Sequence, residues 1–270
     1  MATTSRYLFA ILLLLVLLPA HSADIRLAPF DPSSPDSSEV VVISGLIEPG
    51  DYDRLRDLAK RDAKLFHART FVLASLGGDI EEAVRIGRLL RSMYASVFVS
   101  SKHGKCASAC FFIYVAAIDR NATIPDLGIH RPYLNPKRYA QLSLEASEQK
   151  YRELSEVVRS YLVEHQVPSS IIERMFNLAS SEIQWLDAVD LKAVGRRAPW
   201  WDQVLVDRCK LDKQLEAEYY WLRPGSHIEA MAEKAEKHFH DVAQCAYFLS
   251  AEDRGRATRS LLSDHPRRLK

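Results

Sequence analysis

The sequence predicts an α/β protein built from crossover units, and three observations carry that reading. Short β-branched apolar runs alternate with amphipathic helical stretches between residues 40 and 130. Each run stops at a turn signal, and successive runs stand one helix apart, as parallel strands require. No internal repeat interrupts the pattern.

Structure is expected to begin near Val40. "VVVISGLI" reads as a buried strand ended by Glu48-Pro49-Gly50, and Asp51 is placed to cap a helix carrying Leu55, Leu58, Ala59, Leu65 and Phe66 on one face. "TFVLASLGGD" follows as a strand running into a double-glycine turn. A helix over 80–94 presents Ala83, Ile86, Gly87, Leu90 and Met93 or Tyr94, and feeds the short strand "SVFVS". Ser108 to Ile118 reads as a buried helix, and Leu127 to His130 as a short extended piece.

Residues 138–166 then form a long helix with Tyr151, Leu154, Val157, Val158, Tyr161 and Leu162 on its apolar stripe, stopped at Val167-Pro168. A shorter helix covers 169–179. "EIQWLDAVDLKAVG" gives another helical turn, stopped at Gly195. Beyond Pro199-Trp200-Trp201 the pattern changes to charged helices from about 203 to 253, broken at Arg223-Pro224-Gly225. Trp200, Trp201, Tyr219, Tyr220 and Trp221 make this segment either a docking surface or a part packed on the core.

The first residues read differently. Arg6 precedes an unbroken apolar run from Tyr7 to Leu18, and Pro19-Ala20-His21-Ser22-Ala23 supplies small residues for cleavage. This pattern predicts a secretory signal peptide over 1–22, and the apolar run is short for a membrane span. An uncleaved anchor in the inner membrane is the alternative. Residues 23–39, rich in proline and serine, read as a linker, which leaves 40–198 as the main domain and 199–270 as a helical extension.

With 47% apolar and 26% charged residues, the 270-residue chain is too apolar for disorder, and its formal net charge of +1 offers no broad basic surface for nucleic acid. An exported chain meets oxidising conditions, in which Cys106, Cys110, Cys209 and Cys245 pair in one of three connectivities. Cys209 and Cys245 lie on successive helices, so that bridge is favoured, with Cys106 and Cys110 as the remainder. A lone C-x3-C without a spaced histidine pair predicts no metal site.

Chemistry concentrates at the ends of strands, where open α/β sheets bind ligands. Gly77-Gly78 lets backbone N–H groups approach a substrate oxygen, or is simply a tight connection. Ser108 stands where a helix begins, beside the N–H of Ala109. It is either a nucleophile in acyl transfer or an N-cap. His130 in "LGIHRPY" returns after a helix and a connecting segment, as a general base or a structural histidine.

In order, "LASLGGDIEEAVRIGRLLR", "CASACFFIYVAA", "GIHRP", the long helix after the histidine and the late "LDAVDLKAVG" resemble the proteolytic subunit of the Clp protease and its crotonase-superfamily relatives. The resemblance covers most of 40–198. It implies a ClpP/crotonase-like spiral of βα units, with Ser108 as nucleophile, His130 as base and an oxyanion hole from Gly77 or Gly78 together with Ala109. Family peptidases carry an aspartate where this chain has Phe176 or Asn177. Asn177 is therefore the expected orienting residue, with Glu173, one turn away, as the alternative.

Without such a partner the rate falls by about four orders of magnitude, and the domain becomes a degenerate peptidase or a scaffold of the cell envelope. Export implies a periplasmic, ATP-independent enzyme acting on peptides or unfolded segments, with no ATP-driven unfoldase. Coenzyme A is a cytoplasmic ligand, so no cofactor is expected. The family's rings imply a homo-oligomer.

Overall fold

The computed structural model describes residues 22–31, 33–34, 37–61, 70–135, 139–221 and 228–262. Residues 1–21 of the signal-peptide reading, Leu65 and Phe66, and the break at Arg223-Pro224-Gly225 lie outside the described residues. Among the described residues, no helix is long and apolar enough to cross a membrane.

Four consecutive β-branched residues, Val40 to Ile43, make β2 (Glu39–Ser44) a fully buried strand. It pairs in parallel with β3 (Thr70–Ala74), which pairs in parallel with β4 (Ser96–Val99), and β4 with β6 (Asp119–Ala122). The helices that make these crossovers are α1 (Asp51–Arg61), α2 (Ile80–Ser92) and α3 (Ala109–Ala116). The α/β class and its parallel crossovers are as the alternation predicts.

The segment expected as a linker is partly a strand. β1 (Asp24–Pro29) pairs antiparallel with β2, Asp24 opposite Ser44 and Pro29 opposite Glu39. Ile25 and Leu27 alternate with polar Asp24 and Arg26, and both pack against the core. Period-two burial of two residues outweighs the prolines and serines that follow them.

A second sheet, β5-β7-β8, completes the frame. The two residues of β5 (Cys106–Ala107) run parallel to β7 (Leu127–His130), and β8 (Ile183–Trp185) runs antiparallel to β7. Strand β8 corrects the helical reading of "EIQW". Its residues pair with Gly128, Ile129 and His130, and the helix α6 (Ala188–Val194) starts only after Asp187 caps it through the N–H of Asp190 at 2.9 Å. The long helix α4 (Leu144–Glu164) likewise starts later than expected, where the Ser143 hydroxyl accepts from Ala146 N–H.

Helix α3 is the centre of the core, because all eight of its residues are buried. Helix α2 packs on it through Gly87, where an added Cβ would lie 2.2 Å from the Tyr161 hydroxyl and 3.2 Å from the Phe112 carbonyl. That hydroxyl, on α4, donates to the Phe112 carbonyl at 3.0 Å. A glycine here lets three helices converge on one hydrogen bond. Beyond α4, α5 (Ser169–Asn177) closes the floor with buried Ile171, Ile172 and Met175.

The C-terminal helices are α7 (Pro199–Cys209), α8 (Lys213–Trp221) and α9 (Ile228–Leu262). They pack on the main domain: Trp201, Leu205, Leu211 and Val242 cluster with Ile118, and the Tyr94 ring stands edge-on to Trp200 and Trp201. Trp200 and Trp201 are therefore packing residues. Arg197 ties α7 to α8 by pairing with Asp202 and Glu216. Both cysteine pairs are bridged, Cys209 on α7 to Cys245 on α9 and Cys106 to Cys110.

Gly87→Ala gains roughly 1 kcal/mol of helix propensity. It displaces a buried hydroxyl and overpacks the junction, each costing about 1–3 kcal/mol. Urea denaturation should show a net loss of about 2 kcal/mol. Replacing Cys209 and Cys245 together by serine opens a loop of sequence separation 36. The expected loss is about 3–4 kcal/mol by the same measurement.

Candidate active site

Strand β3 delivers Ser75 into the turn before α2, and β5 delivers Ser108 into the turn before α3. The two turns are joined by one hydrogen bond, from Ala107 N–H to the Ser75 carbonyl at 2.9 Å. A second close approach fixes their faces. A Cβ on Gly77 would lie 2.6 Å from the Cβ of Ser108 and 3.0 Å from its Oγ, so only glycine fits against that side chain.

Ser108 has φ 56° and ψ −122°, outside the regions that non-glycine residues normally occupy. Its position is that of the N-cap of α3, yet its side chain makes no capping hydrogen bond. The residue is 7% exposed. A strained backbone that spends its hydroxyl on no local bond is not explained by capping, and the helix dipole favours negative charge at this end.

Gly78 (φ 138°) is held just as tightly, because a Cβ there would meet the Ile47 carbonyl oxygen at 2.0 Å. The two glycines differ in what their N–H groups do. Gly77 N–H donates to the Ser75 hydroxyl at 3.1 Å, and that hydroxyl donates to the Gly77 carbonyl at 3.2 Å. Gly78 forms a parallel bridge with Ile47 in which the bonds are made by Gly77 O and Asp79 N. Among the described residues the N–H groups of Gly78 and Ala109 have no acceptor.

His130 is the last residue of β7, two positions beyond Gly128, the partner of Ala107. It therefore emerges at the end of the sheet where β5 gives way to Ser108. No hydrogen bond joins it to Ser108 in this structure. Its Nε2 lies 2.9 Å from the Ser180 carbonyl, and its Nδ1 is buried without a partner. A carbonyl only accepts, so in the neutral ring Nε2 carries the proton and Nδ1 the lone pair.

The residues expected to orient His130 are engaged elsewhere or turned outward. Glu173 is exposed and pairs with Arg159 at 2.7 Å, and Asn177, the last residue of α5, is exposed. The contact comes instead from the backbone of Ser180, between α5 and β8. A main-chain carbonyl carries no residue-type signal, so the sequence could not have indicated it. Ser75, also missed, was legible as the first residue of the Gly-Gly turn.

The Cys106–Cys110 bridge spans Ser108 with Cα atoms 5.4 Å apart. The irregularity such a bridge needs is the turn itself, since Ser108 at φ 56° separates the strand residue Cys106 from the helical Cys110. Neither cysteine is a thiol here. Among the described residues no three His, Cys, Asp or Glu side chains gather as metal ligands.

No family model matches the chain, and no curated protein matches it. Among solved structures it is similar to ClpP1 from Listeria monocytogenes, at 19% identity and TM-score 0.38, over 58% of this chain and 86% of that one. It is also similar to the 1510-N membrane-bound stomatin-specific protease, studied as a mutant with a substrate peptide, at 17% identity and TM-score 0.41 over 57% and 71% of the two chains. A third is enoyl-CoA hydratase from Thermoplasma volcanium GSS1, at 14% identity and TM-score 0.34 over 84% and 96%. These neighbours are ClpP and crotonase-like folds. The likeness is one of fold.

Two substitutions separate the roles of these turns. Gly78→Ala places a methyl into a backbone carbonyl at a positive φ, and should cost about 3 kcal/mol or more in thermal or urea unfolding. Ser108→Ala removes a hydroxyl that caps nothing. It should change stability by less than about 0.5 kcal/mol, whereas loss of a true N-cap costs about 1 kcal/mol.

Proposed function

We propose that this chain is an exported, ATP-independent serine peptidase-like hydrolase acting on peptides or unfolded segments, and that it works as a homo-oligomer of the cell envelope. The observation that carries the reading is Ser108: a strained residue at a strand-to-helix junction, its hydroxyl unused for capping, pressed against a glycine turn with an unengaged N–H. The ordered motifs "SLGG", "GKCASA" and "GIHRP" support peptide as the substrate class. Two disulfides that use all four cysteines support an oxidising compartment.

In this reading His130 Nδ1 takes the proton of the Ser108 hydroxyl as Oγ attacks the peptide carbonyl. The N–H groups of Gly78 and Ala109 receive the oxyanion, and the imidazolium returns its proton to the leaving amine. Water then hydrolyses the acyl-enzyme by the same steps in reverse order. The Ser180 carbonyl keeps Nε2–H in place throughout. Leu46 and Leu76 are both exposed, each one residue before the Ile47–Gly77 hydrogen bond, and so offer apolar side chains next to the glycine turn.

A second reading rests on the same histidine. A carbonyl dipole orients an imidazole but compensates its positive charge less than a carboxylate does, and loss of the acid lowers triad catalysis by about four orders of magnitude. A domain that has kept the turn and lost the rate is a binding scaffold.

A fluorophosphonate probe decides between them. Labelling of the mature protein, abolished in Ser108→Ala and reduced at least tenfold in His130→Ala, is the expected result. Equal labelling of Ser108→Ala would overturn the assignment of the nucleophile, and no labelling of the parent at all favours the scaffold.

A further inference from the structure

Where the end of α2, strand β6, the end of α4 and the start of α7 meet, buried nitrogen atoms gather without partners. Arg120, on β6, is 2% exposed, and its Nε, Nη1 and Nη2 all lack a hydrogen-bond partner. Arg91 Nη1, His165 Nε2 and Trp200 Nε1 are likewise buried and unpartnered. These groups are neighbours. The Arg91 guanidinium lies 5.3 Å from the Trp200 ring centroid, Arg91 acts electrostatically on Arg120, and both arginines act on His165. The backbone closes the junction: Trp200 N–H donates to Gln166 Oε1 at 3.2 Å, and Arg120 N–H to the Arg196 carbonyl at 2.7 Å.

The acids nearby do not neutralise this charge by contact. Asp119, next to Arg120 in the strand, acts on it only through space and is itself bonded by the Ser96 hydroxyl and held in the field of Arg197, while Glu164 is exposed and acts on His165 only through space. The phenol of Tyr161 donates to the Phe112 carbonyl, and that of Tyr114 reaches Arg120 only electrostatically. His165 Nδ1 faces the Tyr161 carbonyl at 2.8 Å and so holds the ring proton, which leaves Nε2 an acceptor. The positive charge therefore belongs to the two guanidinium groups. Burial pushes the Arg120 guanidinium down to about 10, which still leaves it charged at neutral pH.

A buried guanidinium with no bonded counter-ion is strongly unfavourable, and native proteins pair such groups by contact. Water satisfies N–H bonds but not the charge. A planar fork of five N–H bonds matches two oxygens of one anion. We propose that Arg120, with Arg91 and Trp200 as further donors, binds a small oxyanion, a phosphate, sulfate or carboxylate, at the junction of the main domain and the C-terminal helices. The partly exposed Arg91 side chain marks the way in. The anion ties the first turn of α7 to the sheet. The site is independent of Ser108.

The test is thermal unfolding of the mature protein against sulfate, phosphate, acetate and chloride at matched ionic strength, with equilibrium dialysis of labelled phosphate, sulfate and acetate. A saturable rise in midpoint with at least one oxyanion but not with chloride, and about one site per chain, is expected. Arg120→Met should abolish the rise, and Trp200→Phe, which keeps an aromatic ring but removes the indole N–H, should require several-fold more anion. Acetate acting alone identifies a carboxylate ligand, and phosphate or sulfate acting alone an inorganic one. A midpoint that follows ionic strength whatever the anion, or a saturable rise that survives in Arg120→Met, overturns the site. Should Arg120→Met fail to fold, parent dialysis and Trp200→Phe still decide: no bound oxyanion in the parent, or unchanged affinity in Trp200→Phe, overturns it.

Discussion

The structure turns on the contact between two loops, the hydrogen bond from Ala107 to Ser75 and the close approach of Gly77 to Ser108. Strand β3 belongs to the five-stranded sheet and β5 to the three-stranded one, so this contact is where the two sheets are set against each other. It also explains the composition of both turns. A side chain at position 77 would strike Ser108, and one at 78 would strike Ile47, so the pair must be Gly-Gly. The small residues around Ser108 follow from the same crowding, since Cys106, Ala107, Ala109 and Cys110 are all buried.

Much of this was legible in the sequence because it depends on residue type. Runs such as Val40 to Ile43 and the stripe on α2 announced the parallel strands and their crossovers, and the small residues of the Gly-Gly and Ser108 turns announced two turns that come into contact. What was not legible depends on long-range geometry. Strand β1 exists because β2 offers it an edge, and β8 because His130 and Gly128 offer theirs. The partner of His130 is a backbone oxygen, and every residue has one. Asn177 and Glu173 looked suitable from their type alone, but α5 carries both on its outward side.

The two disulfides act on different scales. Cys209–Cys245 staples α7 to α9 across a sequence separation of 36, and so holds the C-terminal helices as a unit. Cys106–Cys110, with a sequence separation of four, shapes a single turn and removes both thiols from the neighbourhood of Ser108. That leaves the hydroxyl as the one polar side-chain group of the Cys106–Cys110 turn.

Helix α3, buried along its whole length, has a further consequence for how this site moves. Regions that open by local fluctuation are those with few apolar contacts, and they exchange their amide hydrogens long before the rest of a protein. The helix behind Ser108 is the opposite kind of element. Its hydrogen-bonded amides, those beyond Ala109, are of the kind released only when the whole domain opens. The turn it carries therefore has no private route to disorder.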